Sequence, residues 1–442
     1  MGLKVRAEKV HEDYLETLAK STKFRIGFLL GGLIYDGKYN SVVVHMAPLE
    51  IDDEDETCET IFNVSPEEIV LRAINLVRML PGGLTVLGLF LVNANDVFSK
   101  DDEKKKLREI VGRIQEEFRQ NQHLKALQGD GKDFLILTYA SGNDSNCQEI
   151  HTGNKVDFEF STQKLQWRKV EMIFEIDEEL SLKNDEDSCN VAANLRKILE
   201  NVAKKIEEAK EISAGAAINP EETIDDIIDK KSDPQALKDP LNLLFRSEGN
   251  IDENVSEIQG EMVHLTGVIN SRVFTPSGTK LTEVMKNMKT DLIRSLEARL
   301  QLYCDSLTDE NVTKESWIDL QGDTPRRVYF TVQPTGVQFS DYLFSDENDD
   351  TVRENVAKML DINLEPTDIF LLAEQPPDDE TEDIGNDSAH NNPDEAQKTP
   401  RNPSKILANV ISIIMAVIAI IIGLIVLQQT GGGSEDSGEV DQ

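Results

Sequence analysis

The chain's six histidines and four cysteines are the residues that could bind a catalytic metal or act as a nucleophile. A zinc site needs several imidazoles or thiolates around one ion, but the histidines are scattered singly along the sequence. His11 and Glu12 begin like the helical His-Glu-x-x-His motif of metalloproteases, but Leu15 stands where the second histidine belongs. We therefore expect His11 and Glu12 to be surface polar residues and the lone histidines to be structural.

The sequence also lacks motifs for nucleophilic catalysis and for calcium binding. The sequence lacks a Gly-x-Ser-x-Gly elbow and a cysteine-centred protease signature. The acidic run at 52–56 lacks the alternating spacing of a calcium loop. The cysteines form no close pair, which is typical of thiols in a reducing compartment; they are Cys58, Cys147, Cys189 and Cys304. The residues thus predict no catalytic site, no metal and no cofactor, and they favour an interaction protein over an enzyme.

Composition limits the partners. The chain has 442 residues and a formal net charge of −36, which leaves room for two domains of ordinary size plus linkers. Such an acidic protein is repelled by nucleic acid and by anionic membrane surfaces. We expect no nucleic-acid partner.

Apolar periodicity predicts a domain with α+β, partly α/β, character over residues 1–215. Ser65 caps a helix that ends near Met79, and the apolar run 84–92 is typical of a central buried strand. The other predicted elements are a hairpin at 24–34 and 41–46, a helix at 107–118, strands at 134–139, 156–160, 165–170 and 172–176, and a helix at 191–209.

A second, smaller α+β region is predicted at 251–373, after an acidic linker at 216–250. Its helix at 281–300 has an apolar stripe that favours core packing over a coiled coil because it lasts only about three heptads. An acidic, proline-rich stretch at 374–405 is expected to be a disordered tether. The other predicted elements are strands at 261–274, 327–332, 337–343 and 369–372 and a helix at 351–360.

The eighteen uncharged residues from 410 to 427 predict a membrane span. As a helix they extend about 27 Å, close to the hydrocarbon thickness of a bilayer. Lysine and arginine occur before the run and not after it, so the positive-inside rule places the N-terminal bulk in the cytosol. We expect a tail anchor at 406–427 and a short luminal tail at 428–442, most commonly at the endoplasmic reticulum. The apolar anchor residues include Val410, Ile411, Ile414, Val417, Ile418, Ile421, Ile422, Ile425 and Leu427.

Three short motifs and the terminal apolar run give the chain a resemblance to the odorant-response-abnormal protein four family. The most distinctive is the Leu-Pro-Gly-Gly-Leu segment at 80–84. The residues that carry the resemblance are Leu80, Pro81, Gly82, Gly83, Gly88, Arg327, Asp341 and Tyr342. The resemblance implies a single-pass endoplasmic reticulum protein that assists folding, exit or ciliary trafficking of odorant and other G-protein-coupled receptors. It also implies a partner, a cysteine protease specific for the ubiquitin-fold modifier.

The N-terminal region also resembles an MPN domain, the fold of zinc isopeptidases and their inactive relatives. The Gly-x-x-His-x-His strand of the active family falls on Gly88 to Asn93, so that Leu91 and Asn93 replace the two zinc histidines. The resemblance therefore implies a pseudoenzyme suited to pairing with a related domain.

The sequence thus predicts a tail-anchored adaptor for receptor biogenesis. Two alternatives remain open: an MPN-type hydrolase with an unrecognised active site, and a membrane-tethering protein.

Overall fold

The structure, a computed structural model, describes a single compact unit. It describes residues 3–21, 23–34, 39–49, 60–94, 97–127, 134–142, 144–181, 191–213, 216–217, 222–226, 241–242, 244–246, 262–309, 324–371 and 373–374. All of these belong to a unit that extends from Met1 to Asp378. The predicted anchor 406–427, the luminal tail 428–442 and the tether beyond Glu374 lie outside the described residues. None of the helices in the described ranges has the length and apolar content needed to span a bilayer.

The first seven strands form a closed barrel. They are β1 (Lys4–Glu8), β2 (Arg25–Leu33), β3 (Ser41–Pro48), β4 (Leu84–Val92), β5 (Leu135–Ala140), β6 (Asp144–Glu149) and β7 (Lys155–Ser161). Their order is β1-β3-β2-β4-β5-β6-β7, and a parallel pairing of β7 with β1 closes the barrel. β4 lies between β2 and β5 and every one of its residues is buried. The predicted hairpin and the predicted central strand are confirmed.

Three helices accompany the barrel: α1 (Lys9–Ala19), α2 (Pro66–Met79) and α3 (Asp101–Gln120). α2 begins where predicted, because the Ser65 hydroxyl accepts a hydrogen bond from the backbone N–H of Glu68 at 3.3 Å. The apolar faces of α2 and α3 pack into one hydrophobic core with residues of β2 and β4. The prediction missed β1, α1 and β6; β6 has few apolar residues to reveal it.

A long two-stranded ribbon follows the barrel. Its strands are β8 (Trp167–Ser181) and, after four short strands, β13 (Met262–Pro276); the short strands are β9 (Lys210–Ser213), β10 (Ala216–Ala217), β11 (Leu241–Asn242) and β12 (Leu244–Arg246). The two strands predicted at 165–170 and 172–176 are a single strand, since β8 pairs with β13 without interruption from Trp167 to Ser181. Likewise, the strands predicted at 261–274 correspond to the single strand β13 (Met262–Pro276).

Two helices pack on one face of this ribbon: α4 (Val191–Glu208) and α5 (Leu281–Asp309). The apolar stripe of α5 is buried together with that of α4 and with residues of β8 and β13. This confirms the predicted core packing of the α5 stripe.

The last described elements are β14 (Arg326–Val332), β15 (Val337–Leu343), α6 (Asp349–Leu360) and β16 (Ile369–Phe370). β14 pairs with both β15 and β16. Side chains from this sheet, such as Phe330 and Phe339, share one core with Leu76 of α2 and Ile136 of β5. The chain is therefore a mixed α+β protein, as predicted. The domain boundaries and the MPN-like assignment stay predictions.

Candidate functional site

The Leu-Pro-Gly-Gly-Leu turn joins α2 to β4 and lies directly against α5. A Cβ atom added to Gly82 would be 1.9 Å from the backbone oxygen of Asn287. Gly83 has a φ of +87°, and a Cβ there would be 2.6 Å from the side-chain nitrogen of the same asparagine. Both positions therefore require glycine, one for close approach and the other also for a left-handed conformation.

Asp291, on the α5 face beneath this turn, has no solvent-exposed surface. One carboxylate oxygen accepts hydrogen bonds from the Gly82 N–H at 2.9 Å and from Arg327 Nη2 at 3.0 Å. The other accepts from Arg327 Nη1 and from the Ser271 hydroxyl, both at 2.7 Å. The buried carboxylate thus joins the turn to β13 and β14, and the bidentate pairing with Arg327 is the geometry that compensates desolvation best.

Arg294 lies one helical turn after Asp291 on α5. It donates hydrogen bonds to the backbone carbonyls of the Leu-Pro-Gly-Gly-Leu turn. Its Nη1 donates to the backbone oxygens of Leu80 and Leu84, each at 3.1 Å. Its Nε donates to Leu124 O at 2.8 Å and its Nη2 to Lys125 O at 3.1 Å. Burial lowers the pKa of Arg294 to about 10, so the guanidinium is charged at neutral pH and its charge is solvated by backbone carbonyls.

Arg327 completes what we call the Asp291 cluster (Asp291, Arg294 and Arg327). Its Nε donates to the Ser340 hydroxyl at 2.8 Å. Burial opposes the charge of Arg327, but the Asp291 carboxylate more than offsets this and raises its pKa. The cluster holds the barrel side of the molecule and the β14–β15 sheet to α5.

Glu374 makes a second buried connection at the last described residue. Its carboxylate accepts from Arg299 Nη2 at 2.6 Å, from the Asn270 N–H at 2.9 Å and from the Arg327 N–H at 2.7 Å. The side chain is only 2% exposed. Glu374, which the sequence places first in the disordered tether, therefore bridges α5, β13 and β14.

The remaining motif residues are structural as well. The Asp341 carboxylate accepts from the Tyr342 N–H at 2.9 Å and from Asn355 Nδ2 at 2.7 Å, and burial raises its pKa to about 6. The Tyr342 ring lies 5.6 Å from the Arg299 guanidinium. A Cβ at Gly88 would be 2.0 Å from Leu135 O, so β4 and β5 could not pair closely with a larger residue there.

Leu91 and Asn93, which the resemblance to MPN domains places at the two zinc-histidine positions, have other partners. Leu91 is fully buried in the hydrophobic core. Asn93, in a left-handed conformation with φ of 59°, donates to Lys23 O at 2.9 Å. Among the described residues, no three histidine, cysteine or acidic side chains converge in a way that could hold a metal ion.

His11 corrects one expectation, because it is buried and not a surface residue. Only 5% of it is exposed, and its two ring nitrogens lie 3.3 Å from Glu8 O and 3.2 Å from Val44 O. The ring of His45 contacts Leu360 O at 2.8 Å, and burial lowers its pKa to about 4. Each histidine thus connects its own element to the backbone of another: His11 contacts Val44 O and His45 contacts Leu360 O. This is the structural role expected of the lone histidines.

Sequence reasoning missed Asp291, Arg294 and Glu374. The stretch from Asp291 to Leu300 contains four charged residues, which is the pattern of a solvated helix face, yet all ten of its residues are buried. Its sequence signal is the apolar stripe of the predicted helix at 281–300, which indicates a buried face but does not reveal that the charged residues are buried with it.

Comparison with known proteins identifies the family. The family model described as "ODR4-like: Odorant response abnormal 4-like" matches residues 27–371. The protein odr-4 homolog of Drosophila melanogaster is 25% identical over 85% of this chain and 88% of its own length. The odorant response abnormal protein 4 of Caenorhabditis elegans is 23% identical over 76% of this chain and 72% of its own length.

Among solved structures, the crystal structure of UfSP from C. elegans superposes with a TM-score of 0.46 and 11% identity, over 82% of this chain and 57% of that one. This superposition is too weak to establish a shared fold. The family model, in contrast, spans most of the described residues, including the Leu-Pro-Gly-Gly-Leu turn and the Asp291 cluster, and the chain belongs to the Odorant response abnormal 4-like family.

Proposed function

We propose that this protein is a tail-anchored adaptor that assists folding, exit or ciliary trafficking of a subset of odorant and other G-protein-coupled receptors. The observation that carries the proposal is family membership over residues 27–371. The C. elegans relative is named for an abnormal odorant response. A receptor-related role in this chain is the simplest function consistent with that name.

The membrane part of the proposal rests on the sequence. An uncharged run of eighteen residues at 410–427, preceded by basic residues and followed by an acidic tail, has the length and flanking charges of an endoplasmic reticulum tail anchor. In this arrangement the compact unit faces the cytosol.

The non-enzymatic part rests on how the polar residues are used. The motif residue Arg327 forms an ion pair with Asp291, and the carboxylate of the motif residue Asp341 accepts two hydrogen bonds. Leu91 packs in the hydrophobic core and Asn93 donates a hydrogen bond to Lys23 O, so neither position offers an imidazole. We propose that the domain is an MPN-like pseudoenzyme whose surface binds a partner, and that this partner is a cysteine protease specific for the ubiquitin-fold modifier.

The experiment is a rescue assay in cells that lack their own relative of this protein. The full chain should restore delivery of an odorant receptor to the cilium, measured as surface-labelled receptor. Co-purification from the same cells should recover the protease with the full chain. Normal receptor delivery without any family member would refute the trafficking role, and failure to recover the protease would refute the partner while leaving the trafficking role standing.

A further inference from the structure

The strand β13 has a partner strand on only one of its two edges. The sheet order is β11-β8-β13, and β13 pairs with β8 without interruption along its length. On its other edge the N–H of Asn270 donates to the Glu374 carboxylate at 2.9 Å, and the Asn270 carbonyl oxygen accepts from the Tyr329 hydroxyl at 2.6 Å. These two side chains take the place of a neighbouring strand at Asn270.

The same edge is open in the part of β13 that precedes Asn270. The backbone groups of an antiparallel strand alternate in direction, so the N–H and C=O groups of His264, Thr266 and Val268 point away from β8, as those of Asn270 do. No other described residue forms a hydrogen bond with them. The strand therefore presents a row of backbone donors and acceptors that could pair with a further strand.

This edge has none of the features that protect edge strands from pairing. Such strands are commonly protected by charged side chains, by proline or by a β-bulge. The stretch 262–271 contains no charged residue and no proline, and its pairing with β8 has no register shift. The face beside the edge is apolar, since Val268 is 48% exposed and Ile173, its diagonal neighbour on β8, is 57% exposed. An added strand would find both backbone partners and an apolar contact surface.

The charge of the chain indicates which kind of segment fits this edge. The net charge is −36, whereas the edge itself is uncharged. A second copy of the chain would bring the same negative charge, which opposes association. A basic segment is attracted instead, and polypeptide on the cytosolic side of membrane spans is rich in lysine and arginine. Receptors carry such segments, and a tether in the same membrane would raise their effective concentration.

We propose that β13 binds a basic, extended segment from the cytosolic side of a receptor as an added strand along 262–268. The identity of the receptor rests on the proposed function, whereas the strand addition does not. Backbone hydrogen bonds hold the segment, and its apolar side chains contact Val268 and Ile173. Its lysines and arginines are attracted by the acidic chain and select it over neutral or acidic segments.

The first test measures binding of a fluorescent peptide to the full chain by anisotropy. The peptide alternates valine and threonine and has two lysines at each end. It should bind, and salt should weaken the binding because the attraction is electrostatic. The same peptide with glutamate in place of lysine should bind at least about tenfold more weakly, and so should the peptide with every valine and threonine N-methylated, which has lost its backbone donors.

Val268→Pro tests the edge directly. It removes an N–H that points away from β8, so no hydrogen bond between β13 and β8 is lost and the variant should fold. Peptide binding should weaken by about tenfold, whereas the matched control Val268→Thr, which retains the N–H, should bind within about threefold of the wild type. Urea unfolding checks that both variants fold, and the N-methylated peptide with the wild-type chain serves if Val268→Pro does not.

Equal binding of the N-methylated peptide, unchanged binding to folded Val268→Pro, or no binding to the wild-type chain would each overturn the proposal. A wild-type dimer in analytical ultracentrifugation that Val268→Pro converts to a monomer would also overturn it, because a second copy would then occupy the edge.

The receptor assignment is tested in the rescue assay, where Val268→Pro should reduce both co-purification and ciliary delivery of the receptor. Delivery equal to that of the wild type would overturn the assignment. Failure of the wild-type chain to restore delivery would refute the proposed function instead, and the peptide titration would still decide the strand addition.

Discussion

Asp291 and Arg327 form a bidentate ion pair with contacts of 2.7 and 3.0 Å, and neither side chain has any exposed surface. The two residues are 36 positions apart and belong to different elements, a helix and a strand. The same carboxylate binds the Gly82 N–H of the Leu-Pro-Gly-Gly-Leu turn. The most distinctive segment of the sequence is therefore held in place by a buried charge.

Asp291→Asn should destabilise the protein by about 3 to 5 kcal/mol, because it leaves the Arg327 guanidinium buried without its counter-ion. Urea unfolding measures the change in free energy. Arg113→Ala is the matched control: it removes the ion pair of Arg113 with Glu67, whose side chains are 48% and 70% exposed, and should cost less than about 1 kcal/mol. In the double variant Asp291→Asn/Arg327→Met, the loss should be smaller than the sum of the two single losses; strict additivity would contradict the coupling.

Gly82→Ala should also destabilise the protein, by at least about 1 to 3 kcal/mol, because the new Cβ would collide with the backbone oxygen of Asn287. Gly112→Ala in α3 is the control, since a Cβ there meets no atom within 4 Å. It should stabilise the protein by about 0.5 to 1 kcal/mol because alanine is the better helix former. Thermal unfolding of the two variants should shift in opposite directions; a shift in the same direction would show that the turn does not pack on α5 as described.

Much of the fold was predictable, and the buried polar network was not. β2, β4 and α2 were predicted because an apolar run or a serine cap encodes each one locally. The long strand β8 was wrongly divided into two, because the mixed polar residues within it resemble a break.

Asp291 and Arg294 could not be predicted, since their partners are remote in sequence and charged residues on a helix ordinarily face water. His11 was wrongly placed on the surface for the same reason: its backbone contacts include Val44 O, 33 residues away. Glu374 lies in a stretch whose composition predicts a disordered tether, so its place in the core could not be predicted either.

Asp341 should make the protein less stable as the pH rises from about 4 to about 6. Its pKa is raised from 3.8 to about 6 in the folded chain, so in this window the folded state binds more protons than the unfolded state, and stability falls with increasing pH. The contribution is about 2 kcal/mol. Denaturant unfolding at pH 4, 5 and 6 should show that Asp341→Asn removes this component; an unchanged pH profile in the variant would contradict the assignment.

His45 should make the protein less stable as the pH falls, which is the opposite of the effect of Asp341. Burial lowers its pKa from 6.5 to about 4, so below pH 6.5 the unfolded state binds more protons, and stability is lost as the pH falls towards 4. His45→Gln retains a donor for Leu360 O without the titration. Its stability should therefore depend less on acid between pH 6.5 and 4 than that of the wild type, by about 2 kcal/mol. A variant with the same acid sensitivity as the wild type would exclude His45 as the source.

Glu374 should define the C-terminal limit of the stable unit. A chain that ends at Asp378 retains Glu374 and should unfold like the full-length compact unit, whereas a chain that ends at Leu371 loses the contacts to Arg299, Asn270 and Arg327. The shorter chain should be less stable by about 2 to 4 kcal/mol, because a buried guanidinium and two strand N–H groups lose their acceptor. Equal stability of the two chains would show that Glu374 does not belong to the core.

The central claim is that the compact unit acts in receptor delivery while it is tethered to the endoplasmic reticulum membrane. The most direct measurement is the amount of odorant receptor delivered to the cilium in cells that lack the endogenous relative, when they express the full chain or a chain ending at Pro403. The account predicts that the full chain restores delivery and that the shortened chain, although folded, does not. Equal rescue by the chain ending at Pro403 would contradict it.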